Sequence, residues 1–358
     1  MRRRAEVKAS HPTPSVSALS QSLERLRAAF DALPLGVVVV DADGREELRN
    51  EEASRLVDAR HTDALAARAL SDLLFEATTG ETGRVVELHG PPPRTLSLAA
   101  SPLEGINGPS GTVAVVQDIT ERTLLDAVRR DFVANVSHEL RTPIGAIVAL
   151  ADTLAVEDEA DVMRRLAARI ASEADRAGHL IDDLLDLSRI EGGGLQREET
   201  PIRHLVTGSI DRVVVSAGNR AEDIAVLGDL PSGTLDADPS QVEGALVNLI
   251  ENAVKYSDPG SPIHVSAIDH GDVVELIVRD RGIGIPPSDR DRIFERFYRV
   301  DRARSRVTGG TGLGLAIVRN VARNHGGDVQ VESREGEGST FTLQLPRPPA
   351  GLTKGDGR

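Results

Sequence analysis

The sequence contains no cysteine and no tryptophan, and two methionines among 358 residues. Without cysteine there is no disulfide, no thiolate-held metal and no cysteine-linked flavin. Six Phe and two Tyr are the whole aromatic complement. Only Phe30 and Phe75 fall before residue 118, poor material for gripping a flavin or a haem, so His61 and His89 read as surface histidines rather than haem ligands. No run approaches the roughly 18 apolar residues of a spanning helix, and the longest candidate lies around Pro34–Val40. Met1-Arg2-Arg3-Arg4 leads into polar sequence instead of the apolar core of a signal peptide. The chain therefore reads as cytoplasmic, and membrane association would require a segment upstream. A net charge of −14 argues against a nucleic-acid-binding surface. Lysine is scarce: three of the 42 basic residues are Lys, at positions 8, 255 and 354. Lys255 is the one outside the two tails.

What is present is ordinary globular material, 40% hydrophobic and 27% charged, with length for two or three domains. Residues 1–14 are polar and basic, and 347–358 are rich in Pro and Gly; both are expected to be disordered. Leu19, Leu23, Leu26 and Phe30 give a short helix over 15–32. A buried strand at Gly36–Asp41, a turn at Asp41-Ala42-Asp43-Gly44 and a short helix opened by Asn50 follow. Strand-like runs then occur at Arg84–Leu88, Arg94–Ala100 and Gly111–Gln117. From Glu121 onward the pattern is helical. Leu125, Val128, Phe132 and Val136 form one stripe, and Leu166 to Leu187 stripe a second helix over Glu159–Ile190, ended by Gly192-Gly193-Gly194. Two such stripes joined by a short acidic connection read as a hairpin that pairs with a second copy into a four-helix bundle. Beyond residue 200 strands and helices mix, with Asp238-Pro239-Ser240-Gln241 a well-formed helix start. Strands are expected at Ile263–Asp269, Val273–Asp280, Asp328–Ser333 and Ser339–Leu345, in an antiparallel or mixed sheet.

Four segments carry chemistry. In Ser137-His138-Glu139-Leu140-Arg141-Thr142-Pro143, a neutral imidazole is a good nucleophile towards phosphorus, and Glu139 is placed to take a proton from it. Pro143 lacks the N–H that would bond the carbonyl of Glu139, so a bend is expected after the histidine. Asn248, Asn252 and Lys255 recur at i, i+4 and i+7 and share one helical face. Amide oxygens there suit Mg²⁺, and the lysine suits phosphate charge. Asp280-Arg281-Gly282-Ile283-Gly284-Ile285 follows a strong apolar strand. Gly310-Thr311-Gly312-Leu313-Gly314 opens a helix whose N–H groups can cradle phosphates, without the Gly-Lys-Ser/Thr of a P-loop. Between the last two lie Ile293, Phe294, Phe297 and Tyr298, then a basic run with Arg299, Arg302, Arg304 and Arg306.

All four segments, in this order, resemble the sensor histidine kinases of bacterial two-component systems over residues 115–345. The Arg129-to-Pro143 stretch looks closest to actinobacterial phosphate-sensing kinases. Strand, turn, strand, short helices and three strands ending at Asp118-Ile119-Thr120 resemble a PAS domain. The resemblance implies a multidomain chain: an α+β PAS-like sensor at 15–118, an antiparallel helical hairpin at 119–195 forming a dimeric four-helix bundle, and an α/β sandwich of the Bergerat type at 200–346. It implies autophosphorylation of His138 from ATP and Mg²⁺, then transfer to an aspartate of a response regulator in another chain. Thr142, with Glu139, would orient a water that dephosphorylates that partner. Asn252 would hold the metal, with Asn248, Lys255 and Tyr256 completing that wall of the nucleotide site. Asp280 would receive the adenine amino group, with Gly282, Gly284 and Ile285 beside it and Phe294 anchoring the lid. Arg299 would reach the γ-phosphate, and Gly310, Thr311, Gly312, Leu313 and Gly314 would line the phosphates. Two readings compete. A silent scaffold would lack an element of the ATP site, and none is missing. An ATP-driven clamp of the same ATPase superfamily would not carry a histidine hairpin ahead of its ATPase domain.

Overall fold

The computed structural model describes residues 16–57, 63–77, 80–105, 108–300 and 310–347. The chain forms two compact units, residues 1–131 and 132–358. His61 and Arg302, Arg304 and Arg306 lie outside the described residues, as do both tails apart from Arg347. Arg347 belongs to the second unit, where Nη1 donates to Asp269 Oδ2 at 2.8 Å.

The first unit opens with α1 (Val16–Asp31), then β1 (Gly36–Val40), β2 (Glu46–Arg49), α2 (Glu51–Val57) and α3 (Asp63–Glu76). β3 (Thr82–Leu88), β4 (Arg94–Gly105) and β5 (Gly108–Asp118) complete an antiparallel sheet of order β2-β1-β5-β4-β3. The valine run of β1 alternates instead of being buried throughout: Val38 and Val40 are core, Val37 and Val39 only partly covered. One face of the sheet meets the helices, so period-2 burial follows. Leu70, Leu73, Leu96, Leu98, Ala114 and Val116 form that core. The turn after β1 is held by Asp41, whose Oδ1 accepts from the N–H groups of Asp43 and Arg45. Asn50 does open α2, its Oδ1 accepting from Ala53 N–H at 2.9 Å. His89 is exposed.

Helix α4 (Thr120–Leu154) carries the boundary between the units. It is helical throughout, with Pro143 inside it and buried. α5 (Ala160–Gly192) ends where the glycine triplet predicts, with Gly193 N–H donating to Arg189 O. Glu139 and Pro143 of α4 share one cleft with Leu180 and Arg176 of α5, the register of an antiparallel hairpin turning between the two helices. Val133, Ile144 and Val148 of α4, and Ile181 and Leu185 of α5, remain exposed.

The rest of the second unit is a two-layer α/β sandwich. β6 (Glu198–Pro201) pairs with β8 (Thr234–Ala237), flanking α6 (Ile202–Ala217) and β7 (Ile224–Val226). α7 (Pro239–Tyr256) follows, then β9 (Ile263–Asp269), β10 (Val273–Arg279), α8 (Gly314–Asn324), β11 (Asp328–Arg334) and β12 (Gly338–Pro346). The main sheet, order β11-β12-β10-β9-β7, is mixed: only β7 and β9 run parallel. The four strands expected from sequence are found to within a residue at each end. Leu246, Leu249 and Ile250 of α7, Ile317 and Val321 of α8, and Val265, Leu276 and Leu343 of the sheet form one core that includes Leu180, Leu187 and Ile190 of α5. No helix among the described residues is long and apolar enough to cross a membrane.

Candidate functional site

His138 stands on α4 with its side chain 76% exposed, its Nδ1 3.8 Å from Glu139 Oε1. That gap is too long for a hydrogen bond and suits a proton acceptor held in reserve. The hydroxyl of Thr142, one turn further on, donates to the carbonyl of His138 at 3.2 Å. With Pro143 next in the chain, this bond occupies a carbonyl beside the gap that proline leaves in the backbone ladder.

The Asn-Lys segment lies on α7. Asp238 caps it, accepting from Gln241 N–H, with Pro239 following at the first helical position. Val242, Ala245, Leu246, Leu249, Ile250 and Ala253 bury one face. The other presents Asn248, Asn252 and Lys255, as the spacing predicts. Asn248 Nδ2 donates to Gly244 O at 3.1 Å, and its Oδ1 faces Gly314, where an added Cβ would lie only 2.7 Å away. The Lys255 ammonium lies directly against Gly310, so any side chain there would displace it. It also stands 5.3 Å from the centroid of the Tyr256 ring. Its pKa is pushed down to about 8, first by burial and then by the charges of Arg299 and Arg176. Arg220 fastens the C-terminus of α7: Nη1 donates to Val254 O at 2.5 Å and Ser257 O at 3.0 Å, and Nε pairs with Asp223.

Asp280 is buried at the end of β10. Its Oδ1 accepts from Gly282 N–H at 2.8 Å and Ser339 N–H at 3.2 Å. Burial pushes its carboxyl up, opposed by those two donors. Ile283 N–H donates to Tyr256 O, and Ile285 N–H to Ser333 Oγ at 2.8 Å. The Gly282–Gly284 turn is thereby tied to both α7 and β11. Phe294 packs edge-on against Phe341 of the sheet, ring centroids 6.5 Å apart, with the Arg319 guanidinium over it. Its ring packs against the core of this unit.

The glycine segment before α8 has Gly312 at φ +74°, and a Cβ there would strike Phe297. Thr311 Oγ1 donates to Asp183 Oδ2 of α5 at 2.5 Å and accepts from Leu313 N–H at 3.2 Å. Burial is the main force raising the Asp183 carboxyl, and the Thr311 bond opposes it. Further contacts join hairpin and sandwich. Arg296 pairs with Glu191, and Asn324 Nδ2 donates to Ile190 O at 2.8 Å. Phe132 meets Phe297 at 5.9 Å between centroids. Arg299, nine-tenths buried, approaches Glu139 Oε2 at 3.8 Å. The structure thus brings the histidine helix, the Asn-Lys helix and the glycine segment into one unit. Arg176, Asp183 and Glu191 of α5 are additions that the sequence reading missed. Their signal was available: Arg176 and Asp183 sit four residues before and three after the buried Leu180, on its face of α5.

Residues 237–349 match the family of histidine kinase-, DNA gyrase B- and HSP90-like ATPases. Residues 128–193 match the His Kinase A phospho-acceptor domain. The sensor-like histidine kinase SenX3 of Mycobacterium tuberculosis is 40% identical over 341 residues, covering 90% of this chain and 80% of SenX3. The chain belongs to the sensor histidine kinases. It is an ATP-binding protein-histidine kinase of two-component signal transduction. A mycobacterial relative also bears out the actinobacterial resemblance. The sensor histidine kinase WalK of Bacillus subtilis is 40% identical over 245 residues, 66% of this kinase and 39% of WalK. The solved structure of histidine kinase ThkA in complex with the response regulator protein TrrA shares the fold. Its TM-score is 0.52 at 20% identity, over 90% of this kinase and 99% of that chain.

Proposed function

We propose that this kinase phosphorylates its own His138 from MgATP and passes the phosphoryl group to an aspartate on a response regulator. The observation that carries the reading is the placement of an exposed His138 and its neighbour Glu139 on α4 in the same unit as the Asn248–Asn252–Lys255 face and the glycine segment. The Nδ1 side of the imidazole faces Glu139, so Nε2 is the nucleophile and Glu139 the proton acceptor. Phosphoryl transfer asks for positioning and charge neutralisation above all. Lys255, Arg299 and the N–H groups of residues 310–314 supply the charge and the donors, and Asp280 holds the adenine end. The donor chemistry fits Mg²⁺: the Asn252 amide makes no hydrogen bond among the described residues, and Asn248 Oδ1 is turned to the glycine segment. Bound there, the ion would neutralise phosphate charge. Thr142, beside Glu139 on the helix, is assigned to orienting the water that dephosphorylates the regulator. ThkA, solved with its response regulator, supports the partner class.

The exposed apolar residues of α4 and α5 fit a homodimeric four-helix bundle at 119–195, between a PAS-like sensor at 15–118 and the catalytic domain at 200–346. For the sensor, the support is the five-stranded sheet order with two helices between its second and third strands.

The test is incubation with γ-labelled ATP and Mg²⁺, comparing intact protein with His138→Ala and Asn252→Ala. Label that is lost in acid, survives alkali and is absent from both variants is expected. Label retained by His138→Ala would sink the assignment.

A further inference from the structure

Three cationic side chains converge on the cleft between the histidine helix and the glycine segment. Two of them, Lys255 and Arg299, belong to the ATP-binding domain. The third, Arg176, comes from α5 of the hairpin. It lines a narrow cleft of about 10 Å³ together with Glu139 and Pro143 of α4, Leu180 of α5, and Gly310 and Thr311. That is room for about one water. Arg176 is partly buried, and forms no ion pair or side-chain hydrogen bond among the described residues. The carboxylate in the same cleft, Glu139, lies nearest Arg299, and Asp183 on the same helix accepts from Thr311. Its charge is nevertheless felt by Lys255, as is that of Arg299, with Glu251 and Asp183 acting on the lysine in the opposite sense.

Like charges held close in a partly dehydrated place repel one another, and a polyanion is what would relieve them. An arginine presents a planar fork suited to phosphate oxygens. The cleft opens at one side onto the phosphate-lining segment and at the other onto the residue after His138. We propose that Arg176 is a further phosphoryl-positioning residue, the hairpin's own cation for the γ-phosphoryl group as it passes from ATP to His138. This rests on the assignment of His138 as acceptor.

In the step, an imidazole lone pair forms the N–P bond. The bond from the γ-phosphorus to the β,γ-bridging oxygen breaks, and its electron pair leaves with ADP. The displaced imidazole proton passes to Glu139. Arg176 neutralises the charge on the γ-phosphoryl oxygens during that passage, so its effect falls on transfer and not on nucleotide capture. The division is physical: Lys255 and Asn252 travel with the nucleotide, whereas Arg176 travels with the acceptor.

The experiment compares wild type, Arg176→Gln and Arg176→Lys in the full chain, with His138→Ala as the unlabelled control. Three quantities are read: the initial rate of phosphohistidine formation, the Kd for a fluorescent ATP analogue with Mg²⁺, and the pH dependence of that Kd. Arg176→Gln is expected to slow labelling by about 10²–10³-fold, as loss of one transition-state donor does, while Kd stays within a factor of about two of wild type. Arg176→Lys should recover part of the rate. The alkaline limit of nucleotide affinity, set by Lys255, should move to higher pH in Arg176→Gln, because one of the charges depressing that lysine is gone. An unchanged labelling rate, or equal losses in rate and affinity, overturns the proposal. If wild type itself is not labelled on His138, the acceptor assignment falls instead, and the two failures are told apart.

Discussion

His325 Nε2 accepts the backbone N–H of Asp238 at 3.0 Å, while its Nδ1 bonds Val321 O at 2.8 Å. The ring therefore carries its proton on Nδ1 and links the end of α8 to the N-cap of α7, the helices that carry the glycine segment and the Asn-Lys face. Burial depresses its pKa, with Arg197 adding to the effect and Val321, Asp238 and Asp236 opposing it. The unfolded ring titrates near 6.5. As pH falls below that value the unfolded chain takes up the proton first, so the folded state loses stability from there downwards. Thermal melts from pH 7.5 to 5 should show a falling Tm in wild type. His325→Gln should melt lower at neutral pH and show a flatter acid limb. Equal acid limbs would remove His325 from the explanation.

The Asp183–Thr311 bond ties α5 to the glycine segment. A hydrogen bond to a charged group contributes about 1.5–3 kcal/mol, and an orphaned partner costs at least as much. Thr311→Val should loosen the contact by about that amount, read as faster hydrogen exchange in residues 183 and 311–313. Adding Asp183→Leu to Thr311→Val should return part of the loss, because neither partner is then left unpaired. A double variant as loose as the sum of the two single ones would show that the bond carries no coupling.

Arg220 donates to three carbonyls, those of Val254, Ser257 and Asp258, at the end of α7. A cation there complements the helix dipole, worth up to about 2 kcal/mol when partly buried. Lys255 and Tyr256 occupy that last turn. Arg220→Ala should lower Tm and weaken nucleotide binding together, measured by melting and by titration of an ATP analogue. Retained affinity with a lowered Tm would confine Arg220 to stability.

Leu249 is fully buried on the core face of α7, next to Asn248. Leu249→Ala should cost about 2–5 kcal/mol. Denaturant unfolding should show a lower midpoint with little change in slope.

The elements legible in the sequence were those whose cause is local. The apolar strands β9 to β12 announce themselves by alternation. α7 is announced by Asp238 and Pro239, and the end of α5 by its glycines. β6, β7 and β8 are three or four residues long and were not singled out, because their pairing comes from distant partners. α6 was equally hidden. Its Val213-Val214-Val215 run favours a strand, and only burial of Ile202, Leu205, Val206, Ser209 and Val213 along one stripe makes it helical. The site divides the same way. His138, Asn252 and Asp280 stand in recognisable segments. Arg176 and Asp183 share the face of the buried Leu180, a local sign that they point inward, but which groups meet them is decided by tertiary packing.

The scarcity of lysine has a practical consequence. Lys255 is the one lysine between residues 8 and 354, and its pKa of about 8 leaves close to half its amine unprotonated in mildly alkaline buffer. An ordinary exposed lysine, near 10.4, is almost wholly protonated there. An acylating reagent used sparingly at that pH would therefore react at this amine, and ATP held on the Asn-Lys face as proposed would shield it. The molecule carries its own occupancy gauge, readable as a single peptide mass.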